Sequence, residues 1–374
     1  MEFRYLKAQY QVLKQDIDSA VIDVFAAGRF IGGEPVVELE HQLAEYVGVK
    51  HCITCANGTD ALQLALMAWG IGEGDAVIVP DFTFFSSGEV VSTVGATPVF
   101  VDVREDTFNI DPDQIAPACA LARENGLKPR AVVAVDLFGL PADYPAIREV
   151  CEREGLLLLE DAAQGFGGSI GGKRAGSFGD ISTTSFFPAK PLGCYGDGGA
   201  IFTDNDEWVA LMRSLAVHGK GSMKYDNVRI GMNSRLDTVQ AAILQVKLAA
   251  FDKHELADVN ERAGWYDELL AESNLKLPVV PDGFESSWAQ YTAICPDDLD
   301  RNALQAELKN QGIPTMVYYP KPMHEQLAFE GRSLALPCPV TEHLCVSVLS
   351  LPMGPYLTRE DAETAACNVL GLLR

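Results

Sequence analysis

"GLLLLEDAAQG", residues 155–165, sets the frame for the whole chain. Four consecutive leucines without polar alternation read as a strand covered on both faces, which is the texture of a parallel sheet packed between helices. Glu160 and Asp161 close that strand at its carboxyl end, where open α/β sheets gather their ligands. An aspartate there can equally be a capping or loop residue. Outward from this point the pattern repeats. Apolar strand-like runs fit residues 51–55, 75–80, 97–102 and 130–136, and helix-like runs fit 58–70, 84–95, 111–126 and 141–154. Strict alternation of the two implies right-handed crossovers and a mostly parallel sheet.

Upstream, residues 1–48 read as two helices joined by "GRFIGGEP". Downstream, "ISTTSF" and "GGAIFT" supply further strands, a helix fits 206–218, and a long helical region spans about 236–273. The texture then changes to proline-rich sequence containing a strand, "WAQYTAIC", and a helix, "DRNALQAELKNQG". The expected organisation is α/β, with a large domain over residues 1–250 and a smaller C-terminal α/β domain over 251–374.

The 374 residues are 48% hydrophobic and carry a formal charge of -23, which argues against a nucleic-acid or anionic-membrane partner. No apolar run approaches the roughly 18 residues of a membrane helix. The charged, helical N-terminus does not read as a secretion signal. Nine cysteines lack paired spacing, and the lone C-x-x-C, Cys52 and Cys55, lacks the second pair or redox context that a metal or thioredoxin-like reading needs. No metal site is expected, and a reducing, cytoplasmic setting is.

Lys190 lies in "SFFPAKPLGCYGDGGAIFT", residues 185–203, between two prolines, behind two phenylalanines and ahead of a run of glycines. A confined lysine together with Asp161 suggests pyridoxal 5'-phosphate, which needs an amine for its Schiff base and an anion beside its pyridine nitrogen. Asn57-Gly58-Thr59 opens a helix whose free N–H groups suit a phosphate, although Thr59 is also simply a good helix cap. Ser185 could add a hydroxyl. The glycines of "GCYGDGG" resemble a dinucleotide motif only loosely, and no helix starts where that motif needs one. The basic residues Arg213, Lys220, Lys224, Arg229 and Arg235 face one acid, Asp226, in a stretch that suits either an anion site or a solvated loop.

"GTDALQLAL", "PDFTFFSSGEVVSTVGATPVFVDV", "LEDAAQGFGG", "GDISTTSFFPAKPLGCYGDGGA", "GMNSRLDTVQAA" and "YYPKPMHEQ" occur in this order. With these six motifs the chain resembles, nearly end to end, the DegT/StrS-type nucleotide-sugar aminotransferases. The resemblance implies the aspartate-aminotransferase fold (fold type I), with a seven-stranded sheet in the large domain. It implies that Lys190 holds the cofactor and shuttles a proton, that Asp161 pairs with the pyridine nitrogen, and that Gln164 lies near the ring. Gly58, Thr59 and Ser185 would hold the phosphate, and Phe84 would stack on the ring. Asn233 would reach the phosphate of a neighbouring subunit, which implies a homodimer with shared sites. Arg235 and His324 fall in motifs on the substrate side, and Arg229 joins them from the basic stretch.

Lys190, where some relatives have histidine, argues against sugar dehydration. The sequence around it resembles members that aminate carbon 3 of a UDP-linked 2-acetamido-3-keto sugar or uronic acid, with carbon 4 of a UDP-4-keto-6-deoxy sugar as the alternative. L-glutamate would donate nitrogen and leave as 2-oxoglutarate, in bacterial polysaccharide or glycan synthesis. An amino-acid enzyme would need an arginine clamp near the C-terminus, and Arg359 and Arg374 stand in no recognised context. A sensor without catalysis would not need both Lys190 and Asp161.

Overall fold

The computed structural model describes residues 1–223 and 225–373; Lys224 and Arg374 lie outside it. In chain order the strands are β1 (His51–Cys55), β2 (Asp75–Pro80), β3 (Thr97–Val101), β4 (Lys128–Val135), β5 (Leu157–Asp161), β6 (Ser169–Ile170), β7 (Lys173–Arg174), β8 (Ile181–Ser185), β9 (Gly199–Thr203), β10 (Phe284–Glu285), β11 (Tyr291–Ile294), β12 (Leu334–Ala335) and β13 (Val348–Leu351). The main sheet runs β1-β9-β8-β5-β4-β2-β3-β12. Only β9 runs against the rest, pairing antiparallel with both β1 and β8. The seven strands expected before residue 250 all form. The eighth, β12, is a two-residue strand from the C-terminal region, added in parallel to β3.

The leucine run explains itself in the packing. Leu159 joins the core on one face with Leu62, Val90, Val133 and Met212, while Leu158 joins Ile78, Ile115, Val132 and Ile147 on the other. A strand alternates its side chains between faces, so a sheet buried on both sides needs apolar residues at every position. Helices Gly58–Ala68, Ser86–Thr93 and Asp206–Leu215 cover the first face, and Ile115–Glu124 and Tyr144–Glu154 cover the second. Asp143 caps the last of these by accepting from Ala146 N–H at 3.2 Å, and Gly155, with φ +70°, ends it and turns the chain into β5.

Helices Leu6–Ala27 and Thr238–Ala250 pack together, and a π-helical turn, Phe251–Glu255, carries the second of them on into Leu256–Leu270. Beyond it, β11 and β13 form a two-stranded antiparallel sheet against helices Arg301–Asn310 and Arg359–Leu372. The N-terminus reaches across to this region. Phe3 O accepts from Met353 N–H, Tyr5 OH donates to Asp361 at 2.8 Å, and Arg4 Nη1 donates to the Ala289 carbonyl at 3.0 Å and the Met353 carbonyl at 3.3 Å. All nine cysteines are free. Cys52 and Cys55 point into different cores on opposite faces of β1, so the C-x-x-C is a strand pattern.

Candidate active site

Because β1, β5 and β8 point the same way, their carboxyl ends deliver Asn57-Gly58, Asp161 and Ser185 to one rim. There they line a cavity of about 660 Å³ together with Thr59, Phe84, Gln164, Phe187, Lys190, Asp197, Gln290, Tyr318 and Tyr319, among others. Seven of the sequence-derived site residues, Gly58, Thr59, Phe84, Asp161, Gln164, Ser185 and Lys190, therefore meet in one place.

Asp161 is 5% exposed. Its Oδ2 accepts from Ser87 Oγ at 3.0 Å and its Oδ1 from Ala163 N–H at 3.2 Å. Burial pushes its carboxyl up, and the Ala163 N–H, Lys190 and Ser87 oppose that. Burial likewise draws the Lys190 amine down to about 8 against the pull of Asp161, with Arg4 adding to the lowering. The Lys190 Nζ has no hydrogen-bond partner among the described residues, while its backbone N–H donates to the Phe187 carbonyl at 2.9 Å. Gln164 is locked in place: its Oε1 accepts from Phe138 N–H at 2.9 Å and its Nε2 donates to Tyr319 OH at 3.2 Å. Phe84 is half exposed, with its ring 6.3 Å from that of Tyr319.

Helix Gly58–Ala68 presents its N-terminus to this rim. The cap is Asn57, whose Oδ1 accepts from Asp60 N–H at 2.8 Å, and not Thr59, which sits in the first turn. Gly58 is required by space, since a Cβ there would lie 2.7 Å from Ser185 Cβ. Glu160, one residue before Asp161, faces the other way. It accepts from the N–H groups of Gly176, Phe178 and Gly179 and from Ser182 Oγ.

The remaining candidates lie elsewhere. Arg229 and Arg235 line a separate open cleft of about 1070 Å³ with Lys220 and Ile230. Arg235 Nη2 donates to Asn233 Oδ1 at 2.8 Å, and Arg229 to Ser214. His324 does not line the Lys190 cavity. Its N–H donates to Asp81 Oδ1 at 2.7 Å, and its Nδ1 lies 2.6 Å from Asp81 Oδ2. Cys338 completes a close trio with them, but His324 already engages both oxygens of Asp81. Arg359 pairs with Glu268 and Glu363 at the surface, so it clamps nothing in the cavity. Tyr318, Tyr319, Gln290 and Ser87 were not singled out from sequence, although both tyrosines open the "YYPKPMHEQ" motif.

The cavity suits pyridoxal phosphate. It offers an unpartnered amine at Lys190, a buried carboxylate held by two donors, a helix N-terminus for a phosphate, and a glycine cradle that any side chain would fill. Such a site on this sheet defines a fold-type I aminotransferase. The comparisons agree. The DegT/DnrJ/EryC1/StrS aminotransferase family pattern matches residues 11–369, and the chain belongs to that family, whose members depend on pyridoxal phosphate. It is 44% identical to the UDP-2-acetamido-2-deoxy-3-oxo-D-glucuronate aminotransferase of Pseudomonas aeruginosa over 99% of this chain and 98% of that one. It is 41% identical to the UDP-N-acetyl-3-dehydro-alpha-D-glucosamine 3-aminotransferase of Acidithiobacillus ferrooxidans, covering 96% and 95% of the two chains. A crystal structure of a family aminotransferase from Brucella abortus superposes with a TM-score of 0.96 at 47% identity, covering 100% of this chain and 99% of that one. No helix among the described residues is long and apolar enough to cross a membrane.

Proposed function

We propose that the protein transfers an amino group from L-glutamate to carbon 3 of a UDP-linked 2-acetamido-3-keto sugar or uronic acid, in bacterial polysaccharide or glycan synthesis. The observation that carries the chemistry is the unpartnered, half-buried Lys190 in one cavity with Asp161. The choice of carbon 3 is supported by the two relatives named for 3-oxo and 3-dehydro UDP-sugars.

Bound pyridoxal phosphate supplies an electrophilic carbon and an electron-withdrawing ring. Every other task falls to the chain. An amine held near 8 keeps a useful neutral fraction at cellular pH, so the Lys190 Nζ can take a proton from one carbon and return it to another. Ser87 and Ala163 favour the anionic form of Asp161 against its burial and hold the carboxylate that would pair with the ring nitrogen. The Gln164–Tyr319 bond fixes one wall of the cavity, where the ring would lie under Phe84, and Gly58, Thr59 and Ser185 would receive the phosphate. Asn233, Arg229 and Arg235 serve the partner subunit's site in a homodimer. Support comes from their separation from the Lys190 cavity and from the exposed Ile230, 91% accessible, beside them. We take the division at residue 250 as the working domain boundary and a cytoplasmic location as the setting.

Absorption spectroscopy tests the reading. The purified protein carries a yellow band that L-glutamate shifts to shorter wavelength, and a 3-keto UDP-sugar restores it while a 4-keto UDP-sugar does not. A band unmoved by glutamate refutes the donor, and restoration by the 4-keto sugar alone refutes the carbon.

A further inference from the structure

Arg4 is a half-buried cation without a counter-charge. Its Nη1 is spent on the carbonyls of Ala289 and Met353, and it forms no ion pair among the described residues. Glu255, the acid that acts on it electrostatically, is already taken by Gln9 Nε2 at 3.0 Å and Tyr356 OH at 2.6 Å. Burial draws the guanidinium down to about 10. A buried charge left unpaired is costly, and the usual remedy in a protein is a nearby carboxylate.

The cavity is where that carboxylate can come from. Lys190 and Tyr318 both line it, and both feel the charge of Arg4. Ala289, which accepts from Arg4, precedes Gln290, whose side chain lines the cavity with its Oε1 buried and without a donor. Beside the cavity, where the Phe3 ring lies 6.3 Å from that of Tyr318, a guanidinium without a carboxylate partner thus sits next to a residue whose amide oxygen lacks a donor. The planar fork of a guanidinium matches a carboxylate better than any other side chain does.

We propose that Arg4 receives the carboxylate of a substrate bound in the Lys190 cavity, with Gln290 accepting a hydrogen bond from the same ligand. This rests on the aminotransferase reading above, which offers two carriers of that group: the dicarboxylic amino donor or a uronic acid sugar. It also accounts for the missing C-terminal clamp, because the arginine comes from the opposite end of the chain.

The test uses the cofactor-loaded enzyme as wild type, Arg4→Met and Arg4→Lys, titrated calorimetrically with three unreactive probes. Glutarate stands in for the donor, and UDP-glucuronic acid and UDP-glucose differ from each other at the sugar's carboxylate. Arg4→Met weakens glutarate or UDP-glucuronic acid by about 10- to 100-fold, as expected for loss of a charge-assisted pair. It leaves UDP-glucose within about twofold and the cofactor absorbance unchanged. Loss confined to glutarate names the donor as carrier, and loss confined to UDP-glucuronic acid names the sugar. Arg4→Lys keeps the charge without the fork and weakens the same probe by roughly 3- to 10-fold, and it decides the matter if Arg4→Met does not retain cofactor. Variants that bind every probe as wild type does, or lose all three equally, overturn the role of Arg4. A wild type that binds neither carboxylate probe overturns the proposed substrates as well.

Discussion

Replacing Lys190 by methionine makes the cofactor-free protein more stable. In the folded chain the Lys190 amine titrates near 8, against 10.5 for a free lysine. Holding that amine charged in the fold therefore costs on the order of 3 kcal/mol below pH 8. The attraction of Asp161 is already contained in that figure, because it works against the lowering. The sign follows from proton binding. Between pH 8 and 10.5 the unfolded chain still holds the proton that the folded chain has released, so wild-type stability rises with pH across that window. Methionine keeps the volume and has nothing to titrate. At pH 7 the variant melts roughly 4 °C above wild type, taking about 2.1 cal/mol/K of unfolding entropy per residue. The difference shrinks steadily between pH 8 and 10.5. Calorimetry on both proteins, stripped of cofactor and held at one concentration, checks this. A difference that stays constant over the window, or a wild type that is the more stable at pH 7, refutes the account of Lys190 as a cation held at a cost.

Asp161→Asn keeps a hydrogen-bond partner for Ser87 but removes the anion, and turnover measured with saturating cofactor falls by roughly 10²- to 10³-fold. Gly58→Ala sets a methyl group 2.7 Å from Ser185 Cβ and lowers stability by about 1–3 kcal/mol. Adding Ser185→Gly in denaturant titrations recovers most of that loss, whereas simply additive losses would show that the close approach is not the cause. Asp81→Asn weakens the hold on His324 and costs about 1–3 kcal/mol, with less than additive loss in the Asp81→Asn/His324→Ala double variant. Mixing inactive Lys190→Ala with inactive Arg235→Ala chains restores about a quarter of wild-type activity if sites are shared across a two-fold dimer; no recovery places Arg235 outside the partner's site.

The strands and their crossovers were legible because a doubly covered sheet needs unbroken apolar runs, and β1, β2 and β5 carry them almost to the residue. The β12 strand was not, since two residues hold no pattern and its pairing with β3 is long-range. Lys190 and Asp161 stood out because a confined lysine and a strand-end carboxylate each have few other uses. Asn57 and Thr59 are both good caps, and sequence alone does not say which carries the N–H bond. His324 sits in a recognisable motif, but its partner Asp81 is 243 residues away. Arg4 gave no local signal at all. Its meaning comes from Ala289 and Met353, on the far side of the chain.

That contact also orders events during synthesis. Phe3, Arg4 and Tyr5 precede their partners Met353 and Asp361 by about 350 residues, so they leave the ribosome long before them. These contacts must wait until all of the intervening chain has emerged. The seat of Arg4 is therefore completed only after every strand of the main sheet has been made.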